Sequence, residues 1–146
     1  ARPRWLAELA HYEWAELAVD VMDCQIPGHD PAGDLMQRPV VLNPARLILA
    51  YAWPVHRIGP DYRPRKPQAT QLVVYRDADD RVRFVEINPV TLRLLELLAA
   101  APTTGAAACR QIGTELHHPD SQQLVSFGRG ILEDFRAQGL ILGTRE

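Results

Sequence analysis

Cysteine is scarce in this sequence of 146 residues, which contains only Cys24 and Cys109. Their spacing matches no disulfide framework and no metal-binding motif, so we expect two reduced, partly buried thiols. No segment approaches the roughly 18 consecutive apolar residues of a membrane span, and no basic segment leads into an apolar signal sequence. These absences predict a cytoplasmic protein. Because the chain opens at Ala1 and soon becomes helical in pattern, we expect a C-terminal part of a longer protein.

Motifs that support catalysis are also missing. The segment Gly128-Arg-Gly130 lies in a helical pattern and lacks the Lys-Ser/Thr pair of a phosphate-binding loop. Ser121 and Ser126 are the only serines, and neither stands in a nucleophile motif. Cys24 has His29 five residues further on, but no third group is placed to orient such a pair. The sequence therefore predicts a binding module without catalytic residues.

A metal site has equally little support. One histidine, His11, shares a helical segment with Glu8, Glu13 and Glu16. No second histidine stands four residues from it, as a His-Glu-x-x-His site requires. The adjacent pair His117 and His118 chelates poorly, because neighbours on a helix point about 100° apart. We interpret these groups as a solvated helix face and a helix end, and predict neither a metal nor a cofactor in this chain.

The charge balance gives no general support for nucleic-acid binding. The formal net charge is -2, and 23% of the residues are charged, which is ordinary for a globular protein. A DNA-binding domain usually carries a basic patch. The one local concentration of positive charge is a proline-rich loop with Arg57, Arg63, Arg65 and Lys66.

What the sequence does contain is organised around residues 81–99. Residues 81–87 are rich in β-branched and aromatic side chains, which predicts a strand. Asn88 is a good helix N-cap and Pro89 suits the first helical position. Leucines then follow at helical spacing, which predicts a helix over 89–100. A strand that runs directly into a helix connects a small sheet to a helical bundle.

The other elements complete an α+β fold. Two strands are predicted before this stretch, over 46–58 and 70–77, and Pro54 requires an edge or a bulge in the first. Two further helices, a long N-terminal helix and a loop are predicted over 105–116, 121–138, 4–22 and 24–45. Gly139 ends the last helix. The result is a winged-helix-like plan of three antiparallel strands followed by three helices.

Residues 68–142 resemble the PqqD-type fold, which recognises precursor peptides of ribosomally made, modified products. The match lies in strand 81–87, the helix that opens Asn-Pro-Val-Thr-Leu-Arg-Leu-Leu, and the ending Ile-Leu-Glu-Asp-Phe-Arg-Ala-Gln-Gly-Leu-Ile-Leu. A wider resemblance, to the HvfC/BufC family, rests on Leu9-Ala-His-Tyr-Glu-Trp14, Tyr51-Ala-Trp-Pro-Val-His-Arg-Ile58 and Leu72-Val-Val-Tyr-Arg-Asp77. It implies two parts. Residues 1–42 are the tail of an absent helical domain, and residues 43–146 form the PqqD-like domain.

The resemblance also implies a function and partners. The HvfC/BufC family is similar to MbnC, the partner of a multinuclear-iron enzyme. We therefore expect a non-catalytic protein that binds a cysteine-containing precursor peptide and presents it to an iron-dependent HvfB/MbnB-like enzyme. In PqqD-type domains the peptide adds to the third strand, beside the last helix. The corresponding residues here are Arg81, Val82, Arg83, Phe84, Val85, Glu86, Gln123 and Phe127.

Two further hypotheses concern the basic loop and the label that the family often carries. Trp53, Pro54, His56 and Arg57 form one short segment after the first strand, and Trp and Arg are favoured anchors at interfaces. We expect this segment to dock the partner enzyme, or else to lie in the core. Family members are often labelled putative DNA-binding proteins, so a winged-helix regulator is the alternative function. The last helix mixes Gln122, Gln123, Arg129 and Arg136 with acidic residues, which is a poor recognition helix.

Overall fold

The computed structural model describes residues 2–146 and is an α+β protein. In chain order its elements are α1 Leu6–Asp20, β1 Val40–Leu42, β2 Arg46–Tyr51, a 3-10 turn Val55–Arg57, β3 Thr70–Arg76, β4 Val82–Ile87, α2 Pro89–Ala100, α3 Gly105–Glu115, α4 Ser121–Gln138 and β5 Ile141–Thr144. The residues divide into two compact units. Unit 1 contains residues 2–23 and 45–88, and unit 2 contains residues 24–44 and 89–146.

Unit 1 is a three-stranded antiparallel sheet with one helix against it. The strand order is β2-β3-β4, so β3 is central and β4 forms an edge. Leu49, Leu72 and Val74 on one sheet face meet Ala15 and Val19 of α1 in a buried core. The antiparallel strands and their order along the chain confirm the predicted sheet.

The first strand is shorter than predicted. β2 ends at Tyr51, whereas the prediction extended it to residue 58. Pro54 directly precedes the 3-10 turn Val55–Arg57. Because proline has no N–H to donate, the ladder cannot continue through it. The apolar pattern of a strand therefore continues in the sequence beyond the residue at which the chain leaves the sheet.

A tight acidic turn joins β3 to β4, as its length predicts. The Asp80 N–H donates to the carbonyl of Asp77 at 3.0 Å, and Asp80 has a positive φ of 60°. This is the geometry of a three-residue hairpin loop whose last residue is left-handed. The Asp77 carboxylate also accepts the N–H groups of Asp79 and Arg81 at 2.9 and 3.0 Å. The turn thus fixes the register of β4.

Unit 2 contains the three C-terminal helices and a small second sheet. α2 and α4 have the predicted bounds, and α3 ends one residue earlier than predicted. The side chains of Thr104 and Asp120 accept N–H groups at the starts of α3 and α4. β1 pairs antiparallel with β5, so the extended segment before residue 45 and the closing segment of the chain form a two-stranded ribbon. Both cysteines are free; Cys109 is buried and Cys24 half-buried.

None of the described helices, within residues 2–146, is long and apolar enough to cross a membrane. The domain limits at residues 42 and 43 stay a prediction.

Candidate functional site

The hydrogen-bond ladder between β3 and β4 determines which way each backbone group of β4 points. The Asp77 N–H donates to the carbonyl of Arg81 at 2.9 Å, so these two residues form a hydrogen-bonded pair at the turn. Bonded and non-bonded pairs alternate along an antiparallel ladder. With the observed register, the next bonded pairs are Tyr75 with Arg83 and Val73 with Val85.

It follows that Val82, Phe84 and Glu86 direct their N–H and C=O groups away from β3. β4 is an edge strand: it pairs with β3 on one side, and on its other side no strand of residues 2–146 pairs with it. These three residues therefore offer a row of unpaired backbone donors and acceptors. Such a row is a template for an added strand unless charge, proline or a covering element blocks it. β4 contains no proline.

The side chains of the same three residues face α1. Side chains alternate along a strand, and Val82 and Phe84 both pack against the core that α1 shares with the sheet. The ring of Phe84 stacks on Tyr12, with centroids 4.5 Å apart and planes 7° apart. Burial, and then the charge of Glu16, raise the pKa of Tyr12. α1 thus forms a wall beside the outward edge.

Arg83 of β4 and Arg81, which directly precedes the strand, differ in their surroundings. Arg83 forms an ion pair with Asp77, whose carboxylate is nearly buried. The hydrogen bond from Arg83 is the main cause that lowers the pKa of Asp77. Arg81 lies beside Val82 in a groove that three carboxylates of α1 also line. Arg83 is therefore paired with a carboxylate of the hairpin turn, whereas Arg81 lies in the groove beside the free edge.

The predicted peptide-binding and partner-docking segments meet at Glu86. Its carboxylate lies 3.5 Å from Nε2 of His56 and 3.6 Å from a guanidinium nitrogen of Arg57. Nδ1 of His56 is buried and has no hydrogen-bond partner within the described part of the chain. The side chain of Arg57 is half exposed. The structure therefore brings three of the predicted residues into one cluster at the end of β4.

Trp53 and Pro54 are buried close to this cluster. Trp53 is 9% exposed and belongs to the core of unit 1. The Glu8 carboxylate of α1 accepts the N–H groups of Ala52 and Trp53 at 3.0 and 2.9 Å. This carboxylate therefore accepts the two backbone N–H groups that directly follow the end of β2. Within the docking segment, Arg57 is consequently the side chain that reaches the surface.

The remaining predicted residues, Gln123 and Phe127, belong to α4 in unit 2. Both are exposed, and Phe127 is 66% exposed. The apolar stripe of the last helix in the sequence also predicts that Phe127 and Ile131 close the core, and that prediction is wrong for Phe127. A stripe defines a direction around the helix, but Phe127 lies at its margin. Val90 of α2 is another partly exposed apolar side chain in this unit.

Sequence reasoning missed the contribution of α1 to this region. The sequence predicts this helix, but its pattern does not tell which side chains meet β4. His11 bonds the Tyr51 hydroxyl at 2.8 Å, and burial, then Glu8 and Tyr12, raise the pKa of Tyr51 to about 12.

Across residues 2–146, no group of three His, Cys, Asp or Glu side chains is close enough to hold a metal ion.

Comparison with protein families gives a match over most of the chain. Residues 43–136 match the family model described as the HvfC C-terminal domain. The matched residues include β2, β3, β4, α2, α3 and most of α4. No match was found among the curated proteins.

Proposed function

Because the chain belongs to the HvfC family through its C-terminal domain, we propose that it is a non-catalytic partner protein for the recognition of precursor peptides. The peptide is ribosomally made and adds as a strand to the free edge of β4. The protein then presents the peptide to a multinuclear-iron oxidative enzyme that modifies its cysteines. The HvfC family membership supports a partner protein in a biosynthetic system.

The observation that carries this proposal is the outward row of backbone groups at Val82, Phe84 and Glu86. In strand addition, main-chain hydrogen bonds supply affinity and neighbouring side chains supply specificity. The order of three antiparallel strands followed by three helices is compatible with a PqqD-like winged-helix domain over residues 43–146. We propose that the chain before it, residues 1–42, supplies a helix and a connector.

The partner enzyme would dock through Arg57 and its surroundings. Glu86 lies within 4 Å of both His56 and Arg57, so the end of the proposed peptide site adjoins the proposed docking site. This adjacency would place a bound peptide next to the enzyme. We propose that the iron belongs to that HvfB/MbnB-like enzyme, that this chain supplies no cofactor, and that both work in the cytoplasm.

Co-purification tests the proposal directly. The protein is expressed with the products of its neighbouring genes, captured by an affinity tag, and analysed by mass spectrometry and metal determination. We expect an iron enzyme and a small cysteine-containing protein in the captured complex. Capture of neither would contradict the proposed function.

The alternative function, a DNA-binding regulator, has one supporting feature. A groove of ≈ 880 Å³ is lined by residues 61–68, including Arg63, Arg65 and Lys66. Phosphate neutralisation by such residues gives affinity that falls steeply with salt. Salt-dependent binding to any DNA duplex at physiological ionic strength would favour this alternative over the peptide partner.

A further inference from the structure

The groove at the start of β4 has more carboxylates than cations around it. It holds ≈ 520 Å³ and is lined by Glu13, Glu16, Leu17, Asp20, Arg81 and Val82. Three carboxylates of α1 line the groove with one guanidinium, that of Arg81, and the guanidinium of Arg76 bonds the carbonyls of Val19 and Asp20 at the end of the same helix. Within residues 2–146, none of these carboxylates has an ion-pair partner within 4 Å.

This groove lies along the part of the edge where a guest strand would bind. Val82 lines it and is also the first residue of β4 whose backbone groups point outward. In an added antiparallel or parallel strand, the residue beside Val82 has its side chain on the same sheet face as Val82. That face is the one covered by α1. The guest side chain at this position would therefore enter the acidic groove.

We infer that the occupant of the β4 edge is a basic extended segment, with lysine or arginine at the position beside Val82. This inference rests on the proposed function and names the chemistry of the peptide that the site selects. A lysine or arginine there would pair with carboxylates that the protein leaves unpaired. The aliphatic stem of such a side chain would cover Leu17, which is 61% exposed.

The arginines at the start of β4 and directly before it do not reverse this selection. Arg83 pairs with Asp77, and its side chain points to the opposite face of the sheet from Val82. Arg81 and Arg76 supply two positive charges against three carboxylates, so the negative charge at the groove is still in excess. An acidic peptide would meet like charges, which oppose association.

Two short synthetic peptides test the inference. One alternates lysine with threonine, the other alternates glutamate with threonine, and both have blocked ends so that their length and β propensity match. Each is titrated into the whole chain while amide exchange is followed by NMR. We expect the lysine peptide to slow the exchange of Val82, Phe84 and Glu86, and to bind at least ten-fold more tightly than the glutamate peptide at low salt.

Charge variants of α1 then locate the selectivity. The triple variant Glu13→Gln/Glu16→Gln/Asp20→Asn should lose roughly ten-fold in affinity for the lysine peptide. The variant Glu13→Lys/Glu16→Lys/Asp20→Lys should reverse the preference and favour the glutamate peptide. Asp61→Asn, which removes an exposed carboxylate from another part of unit 1, is the matched control and should change nothing. Circular dichroism and thermal unfolding verify that each variant folds.

The outcomes separate the inference from the proposed function. If both peptides protect the β4 amides equally and the triple variants change neither affinity, strand addition is supported and the basic preference is overturned. If neither peptide protects these amides, the basic preference and the β4 site both fail. A reversed preference in the lysine-substituted protein supports both.

Discussion

Phe84 combines two separable properties, a ring that stacks on Tyr12 and an N–H that points out from the edge. Phe84→Pro removes both the ring and the donor, whereas Phe84→Ala removes only the ring. Phe84 is half-buried, so we expect loss of its ring to cost about 1–3 kcal/mol, less than for a fully buried phenylalanine. Calorimetric titration with the precursor peptide should show binding by Phe84→Ala and none by Phe84→Pro.

Val85→Pro is the complementary control for this pair. The N–H of Val85 belongs to the bonded ladder with β3. Proline there should therefore disrupt the sheet itself and lower the unfolding temperature well below that of Phe84→Pro. A folded Phe84→Pro protein that binds peptide as tightly as Phe84→Ala would show that this donor is not used.

Arg57 is the residue on which the docking hypothesis depends. Its ion pair with Glu86 is half exposed, and exposed pairs contribute at most about 1 kcal/mol to stability. Arg57→Ala should therefore fold with an almost unchanged unfolding temperature. We expect a ten-fold or greater loss of affinity for the partner enzyme, because arginines at interface centres are frequent hot spots.

The matched control is Arg65→Ala, an exposed arginine of the same proline-rich loop. It should retain enzyme affinity when measured by surface plasmon resonance. Full-strength enzyme binding by Arg57→Ala would remove the docking role from this residue.

At the scale of single elements, replacing a glycine by alanine should change the free energy of unfolding in opposite directions inside α4 and at its C-terminal end. Gly139 ends the helix with a φ of 90°, a left-handed conformation that costs an L-residue about 1–2 kcal/mol. Gly130 lies within the helix, and a Cβ there meets open space. Alanine should lower the free energy of unfolding at position 139 and raise it by about 0.5–1 kcal/mol at position 130. Urea unfolding measures both changes. Equal effects at the two positions would contradict the left-handed conformation of Gly139 at the end of α4.

A salt bridge between α2 and α3 should make unit 2 sensitive to acid. Arg93 bonds both carboxylate oxygens of Glu115 at 2.9 and 2.8 Å. The hydrogen bonds from Arg93, then that from Gln111, lower the pKa of Glu115 from 4.5 to about 2. A lowered pKa contributes stability that is present above pH 4.5 and lost as the pH falls toward 2.

Glu115→Gln should therefore lower the unfolding temperature at pH 7 and have a smaller effect near pH 2. Asp134→Asn, at an exposed acidic position of α4, serves as the control and should not share this pH dependence. Thermal unfolding across the pH range measures both. A difference between wild type and Glu115→Gln that is as large at pH 2 as at pH 7 would contradict the ion pair.

At the scale of the whole molecule, local signals predicted more of the fold than of the site. Pro89 and Gly139 mark the ends of helices that the structure confirms, because these residues act through their own backbone. Pro54 is the local reason that β2 ends, but Glu8, the partner of the N–H groups that follow the strand, lies 44 residues away from Ala52 and has no local signal. The acidic wall along β4 depends in the same way on the packing of α1 against the sheet. Contacts between residues that are far apart in the chain leave no local pattern from which the sequence could predict them.

The central claim, a guest strand on β4, is tested most directly by residue-resolved hydrogen exchange. In the free protein the amides of Arg83, Val85 and Ile87 should be protected by β3, while those of Val82, Phe84 and Glu86 should exchange rapidly. Saturation with the precursor peptide encoded beside the protein's gene should protect the second set and leave the first nearly unchanged. Rapid exchange of Val82, Phe84 and Glu86 at saturating peptide would contradict strand addition at this edge.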